Sequence, residues 1–168
     1  MIKRIAMLAG ISCFVSPAFA GFERWTIGRE ADPFSGGQKV MIDYSSSIRS
    51  GVFIECDSSE EGLEVRSLAG WDIDGSLIGT SAETSIAIDG SIVIESSESM
   101  VGACGESIAC TSAKLSKEKA KVFATAMVGA KKQVALKDGI SDKPFLLRAS
   151  GSTSAGQALL ECLEKQKN

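Results

Sequence analysis

The chain has 168 residues, with 18 Lys and Arg against 21 Asp and Glu, and it contains no histidine. The absence of histidine excludes Ser-His, Cys-His and His-metal catalysis. A mildly acidic chain without a basic patch argues against nucleic acid or anionic lipid as a partner. The length is enough for one domain with one hydrophobic core.

Residues 1–20 have the pattern of a secretory signal peptide. Lys3 and Arg4 form a short positive region, and the apolar stretch 5–15 is too short to span a bilayer as a helix. The small-x-small pattern at residues 18–20 is the type that signal peptidase cleaves. We therefore expect cleavage between Ala20 and Gly21, which leaves one exported domain, 21–168.

Two alternatives to cleavage after Ala20 stay open. An uncleaved leader would anchor the chain in the membrane, although no longer apolar run follows it. Cys13 could carry a lipid, although Gly10 occupies the position where a large aliphatic residue is expected. We expect a periplasmic or secreted protein without stable membrane insertion.

Four cysteines follow the leader, and an even count in an exported protein predicts two disulfides with three pairings. Cys56 shares a predicted strand face with Val52 and Ile54. Cys162 continues the apolar stripe of a helix over 155–163. Because both side chains face the core, local pattern favours Cys56–Cys162, with Cys104–Cys110 closing a short loop.

Metal binding is the rival use of four cysteines. Zinc sites use C-x2-C pairs and histidines, and this chain has neither. We expect no metal and no cofactor.

Strand patterns dominate the first two thirds of the chain. Strands are predicted at 24–28, 38–44, 52–57 and 63–67, with a turn at 32–37, a polar connection at 45–51 and an acidic turn at 58–62. Ile73-Asp74-Gly75-Ser76 and Ile88-Asp89-Gly90-Ser91 each place Asp-Gly after an apolar residue. Asp-Gly is a strong signal for a hairpin turn, so we predict a hairpin at both.

In the last third of the chain, the sequence pattern predicts two helices and two strands. One helix runs from an N-cap at Ser116 to Val128, before Gly129, with Ala120, Phe123 and Met127 on its inner face. Strands at 132–137 and 144–149 are linked by a turn at residues 138–139. A final helix starts near Ser152 or Thr153 and carries a Glu161–Lys165 pair. The predicted class is α+β, with a β-rich antiparallel sheet or sandwich and disulfides joining its parts.

Several polar residues are candidates for a catalytic or metal-binding site. Ser152 is better explained as a helix N-cap than as a nucleophile. The acids Glu60, Glu61 and Glu64 fit a solvated turn better than a catalytic pair. Asp72 and Asp74 resemble the start of a calcium loop, but the later ligands are missing, so a hairpin turn is preferred. None of these residues forms a catalytic motif, so we expect that the chain is not an enzyme.

The methionines and tryptophans are predicted to lie in the core. Met41, Met100 and Met127 are expected to fill space there. Trp25 and Trp71 could line a binding face, but with few aromatic residues in the chain we favour the core.

The run 86–160 resembles the invasion-associated locus B family of exported bacterial proteins. It has an apolar strand ending in Asp-Gly, the close pair Cys104 and Cys110, a helix, a short basic strand at 131–136, and an apolar strand leading into a Gly-Ser-capped helix. The early cysteines that this family has after its tryptophan are missing here. The resemblance implies a small exported protein with a β-rich core and offers no catalytic residues.

The first half is more similar to periplasmic accessory proteins of type VI secretion. The shared features are a starting tryptophan, the turn Asp32-Pro33, an aliphatic strand ending at Cys56, and a Gly-Ser helix bearing Cys162. We expect a non-catalytic envelope protein, associated with secretion or invasion, that binds a protein of the envelope or the host. An inhibitor of a secreted hydrolase such as lysozyme, using the loop Cys104–Cys110, and an enzyme that uses carboxylates are the alternatives.

Overall fold

The computed structural model describes residues 22–31, 36–47, 50–69, 75–105 and 108–166. Within these ranges the strands are β1 (Thr26–Ala31), β2 (Gln38–Ser47), β3 (Ser50–Asp57), β4 (Leu63–Ala69), β5 (Ser81–Ile88), β6 (Ser91–Gly105), β7 (Ile108–Leu115), β8 (Gln133–Lys137) and β9 (Phe145–Arg148). The helices are α1 (Lys117–Gly129) and α2 (Ser152–Lys165). The strands form one antiparallel sheet in the order β1-β2-β3-β4-β7-β6-β5-β8-β9. The predicted α+β class is confirmed.

The inner face of the sheet holds the core. Alternate residues of β2 and β3 face each other there, with Ile42 opposite Ile54 and Val40 opposite Cys56, all of them buried. This is the period of two that the sequence predicts. The predicted polar connection at 45–51 is too long, because Ser47 still pairs with Ser50. Backbone pairing continues there although the side chains are polar.

One of the two predicted Asp-Gly hairpins is correct. Asp89 and Gly90 have φ values of 52° and 89° and join β5 to β6. The other prediction is wrong for the part that is described, because Gly75–Leu77 is a short 3-10 helix. The neighbours of β4 in the sheet are β3 and β7, so β4 does not pair with β5, the next strand along the chain.

The two helices pack on the inner face and against each other. The Ser116 hydroxyl accepts a hydrogen bond from the backbone N–H of Lys119, which confirms the predicted N-cap of α1. Ala120, Phe123 and Met127 are buried as predicted. No helix in the described ranges is long and apolar enough to cross a membrane.

Some expected positions of apolar side chains are corrected. Met127 is fully buried, but Met41 and Met100 are 43% and 54% exposed. Each of these two methionines lies between two inward-facing residues, so the alternation of the strand turns it to the outer face. Trp25 is buried and makes an edge contact with Tyr44, with ring centroids 5.3 Å apart, which confirms its core position. Trp71 lies outside the described residues.

The predicted Glu161–Lys165 pair on α2 is also wrong. Glu161 forms an ion pair with Arg29 of β1 at 2.9 Å. The Lys165 ammonium donates a hydrogen bond to the Gln38 side chain at 2.8 Å. Both side chains bond to the neighbouring sheet, which sequence spacing along the helix cannot reveal.

Candidate functional site

The two disulfides have the pairing that local pattern predicts. Cys56 of β3 and Cys162 of α2 are both buried and are joined with a Cα–Cα distance of 6.3 Å. This bond ties the sheet to the last helix across 106 residues of sequence. Its site is fully enclosed by the core, so its role is structural.

The second disulfide closes the hairpin between β6 and β7. Cys104 and Cys110 are joined with a Cα–Cα distance of 5.7 Å. Strand β4 pairs with β7 only as far as Cys110, and beyond it the described residues of the tip pair between β6 and β7. The arm at residues 103–105 is exposed. This hairpin is therefore a covalently closed tip with one exposed side.

Other sequence-predicted sites cannot be placed. The cleavage site Ala20–Gly21 and Cys13 lie outside the described residues, as do Asp72 and Asp74. Among the residues that are described, no group of three or more Cys, Asp or Glu side chains is arranged to hold a metal ion.

The three acidic residues Glu60, Glu61 and Glu64 lie in two different elements, a turn and a strand. Glu60 and Glu61 are exposed on the turn after β3, as predicted, whereas Glu64 lies on β4. Arg66 forms an ion pair with Glu64 at 2.7 Å, and the Ser112 hydroxyl also donates to this carboxylate. The Arg66 hydrogen bond, followed by that from Ser112, lowers the pKa of Glu64. A general acid needs a raised pKa, so Glu64 is suited to ion pairing and not to proton donation.

The predicted cap at Ser152 is wrong. The N-cap of α2 is Gly151, with φ of 86°, and Ser152 is the first helical residue. A Cβ atom at position 151 would lie 2.6 Å from the carbonyl oxygen of Trp25, so only glycine fits there. Ser152 is fully buried, and its hydroxyl has no hydrogen-bond partner in the described part of the chain. The N-cap residue is therefore fixed by close packing against Trp25 and not by a side-chain hydrogen bond.

A buried carboxylate that sequence reasoning missed holds the loop between β8 and β9. Asp138 is 1% exposed and accepts hydrogen bonds from the Ser141 backbone N–H at 2.8 Å and from the Ser141 hydroxyl at 2.8 Å. Ser67 of β4 also donates to it at 3.1 Å and contacts Thr111 at 2.8 Å. The Ser67–Asp138 bond crosses the inner face of the sheet and shows how strongly the sheet curls. The Asp-Gly pair predicted the turn but not its anchor.

This anchored loop forms one wall of a groove. The groove has a volume of about 420 Å³, within the range of binding pockets in proteins. Its opposite wall is formed by Ser46 of β2 and Ser50 of β3. The lining includes serine hydroxyls, one cation, one anion and apolar side chains: Ser46, Ser50, Ser141, Asp142, Lys143, Pro144, Phe145, Leu146 and Leu147. Leu146 is 63% exposed. The groove therefore combines an apolar surface with polar groups at its rim.

The groove also includes one free edge of the sheet. The Ala149 N–H donates to Lys132 next to β8, so alternate residues of β9 turn their backbone groups the other way. Of these, the Arg148 N–H donates to the Tyr44 hydroxyl at 3.1 Å. The N–H and C=O of Leu146 lie on the same free edge. An extended chain in the groove could pair with this residue.

The chain matches no protein-family model, and no curated protein or solved structure is significantly similar to it. The two family resemblances therefore stay predictions.

Proposed function

We propose that this chain is an exported, non-catalytic protein of the bacterial envelope that acts by binding another protein. The leader pattern in residues 1–20 supports export. The two disulfides also support it, because disulfides persist in oxidising compartments such as the periplasm. The resemblance to secretion- and invasion-associated proteins agrees with this location.

The groove beside β9 is the observation that carries the binding proposal. It presents an exposed leucine, a half-buried aromatic residue at Phe145 and a strand edge within one concave surface. A segment of a partner that adds to a strand edge gains main-chain hydrogen bonds and places alternate side chains in the pocket. Protein segments are therefore the chemistry that this surface fits best.

Retention of a partner by matched variants tests the proposal. The domain 21–168 is immobilised and exposed to periplasmic extract and culture medium of the source bacterium, and retained proteins are identified by cross-linking and mass spectrometry. Leu146→Asp places a charge in the groove, and Ile92→Asp does so on the β5–β6 hairpin, where Ile92 is 71% exposed. We expect a protein that is retained by the wild type and by Ile92→Asp but lost with Leu146→Asp. Equal retention by both variants would reject the groove.

The closed hairpin at Cys104–Cys110 favours a second candidate, an inhibitor of a secreted hydrolase. A tip that a disulfide holds in one conformation loses little entropy when it enters a cleft. Addition of the purified protein to a lysozyme lysis assay tests this function. Unchanged lysis at excess protein rejects it for lysozyme, and Ala103→Asp in the exposed arm provides the control for any inhibition.

A further inference from the structure

The other free edge of the sheet is β1, and its backbone groups can be assigned. Ser58 donates to the carbonyl of Gln38, so even-numbered residues of β2 bond to β3 and odd-numbered ones bond to β1. In the register of β1 and β2, this leaves Ile27, Arg29 and Ala31 with their N–H and C=O groups turned away from the sheet. Trp25 follows the same alternation, because its N–H donates outward to Ser150 at 2.9 Å.

Two of the usual protections against edge pairing, a proline and a β-bulge, are absent from β1, which does carry the charged residues Arg29 and Glu30. Every residue of β1 after Thr26 is exposed, and its six pairs with β2 run without a bulge. The edge contains no proline, whereas β9 is only four residues long and follows Pro144. Long, regular and exposed edges are templates for another strand.

We propose that β1 pairs antiparallel with β1 of a second copy of this chain, about a two-fold axis at Gly28. Gly28 then faces Gly28 of the second copy, Ile27 faces Arg29, and Thr26 faces Glu30. Sliding the pairing by one step toward the C-terminal end would place Arg29 opposite Arg29, and a further step would place Glu30 opposite Glu30. Like charges that face each other across strands are destabilising, so charge disfavours both of these registers. A slide toward the N-terminal end, with Ile27 opposite Ile27, would need the outward N–H of Trp25, which is already bonded to Ser150, and the register at Gly28 remains.

The apolar side chains around the axis fit the same arrangement. Met41 faces Gly28 on the outer face, is 43% exposed, and lies 3.8 Å from the position of a Cβ atom on Gly28. Two glycines at the axis leave room on that face, which the flexible methionines of both copies can cover. On the inner face, the side chain of Ile27 is 39% exposed, and the second copy would bury part of it. This interface is separate from the groove beside β9.

Cysteine cross-linking tests the register. Residues that face each other in a non-hydrogen-bonded pair have Cα atoms about 4.5 Å apart, within the range of a disulfide. Gly28→Cys should therefore give covalent dimers on a non-reducing gel after mild oxidation. Glu30→Cys, whose copies would lie about 13 Å apart, should give none. Equal cross-linking of both variants would overturn the register.

Analytical ultracentrifugation of the domain 21–168 tests the dimer itself. The wild type should sediment as a dimer at micromolar concentration. Ile27→Lys would face Arg29 of the second copy and should weaken dimerisation at least tenfold, whereas Ile27→Glu should leave it unchanged or tighter. A wild type that stays monomeric up to millimolar concentration would overturn the proposal, as would equal effects of the two substitutions.

Discussion

The side-chain amide of Gln166 forms hydrogen bonds with both backbone groups of Gly62, 104 residues earlier in the chain. Its oxygen accepts from the Gly62 N–H at 2.9 Å, and its nitrogen donates to the Gly62 carbonyl at 2.6 Å and to the Asp57 carbonyl at 3.0 Å. Gly62 has φ of 77°, and a Cβ there would lie 2.0 Å from the Leu115 carbonyl oxygen. The end of α2 therefore fixes the turn between β3 and β4.

Replacing Gln166 by alanine should lower the free energy of unfolding by about 2–3 kcal/mol, because it leaves buried backbone groups of Gly62 without partners. Urea denaturation measures the change. The neighbouring Lys165→Ala removes one exposed hydrogen bond and should cost no more than about 0.5 kcal/mol. Similar losses for the two variants would contradict this role of Gln166.

The two disulfides should differ in their effect on stability. A loop-entropy estimate assigns about 5 kcal/mol to the bond that spans 106 residues and about 2 kcal/mol to the bond that spans 6. We expect Cys162→Ser, paired with Cys56→Ser, to lower the unfolding midpoint in urea far more than Cys104→Ser with Cys110→Ser. Equal midpoints would contradict the assignment of the core bond as the main covalent support.

Two helical glycines should respond to alanine in opposite directions. A Cβ on Gly156 of α2 would lie 2.6 Å from the Ala124 carbonyl oxygen, whereas Gly129 at the end of α1 has nothing within 4 Å. Overpacking should outweigh helix propensity at Gly156, so Gly156→Ala should destabilise the fold by about 1–2 kcal/mol. Gly129→Ala should stabilise it by about 0.5 kcal/mol. Thermal unfolding checks both signs, and a stabilising Gly156→Ala would show that the helices can separate.

Stability should depend on the ionisation of Asp89. Hydrogen bonds from the backbone N–H groups of Gln133, Lys131 and Lys132 lower the pKa of its carboxyl group in the folded chain. Its stabilising contribution is therefore present above the unfolded pKa of about 3.9 and is lost as the pH falls through the folded value. The difference in unfolding free energy between the wild type and Asp89→Asn should be largest above about pH 4 and shrink below it. A difference that is constant from pH 7 to pH 2 would exclude this linkage.

Local patterns predicted the positions of most strands, but not which strands pair with each other. The alternation of Val40, Ile42 and Tyr44 reports which side of a strand is apolar, and the structure buries all three. The first Asp-Gly prediction, at Gly75, failed because β4 pairs with β7, which lies about forty residues further along the chain. Strand order depends on contacts between distant segments, and turn chemistry alone does not report them.

The groove was beyond sequence reasoning for the same reason. One wall comes from Ser46 and Ser50 and the other from residues 141–147, in a loop that the buried carboxylate of Asp138 holds. From the sequence, an aspartate before a glycine predicts an exposed turn. Only the curl of the sheet brings Ser67 to that carboxylate.

The sequence by itself determined the α+β class, the inward faces of the strands, α1 with its serine cap, and the cysteine pairs, because each depends on the period or composition of a short segment. The tertiary structure decided the strand order, the cap of α2 at Gly151 and the groove beside β9. These features depend on which distant backbones approach each other, as when Trp25 leaves room only for glycine at position 151.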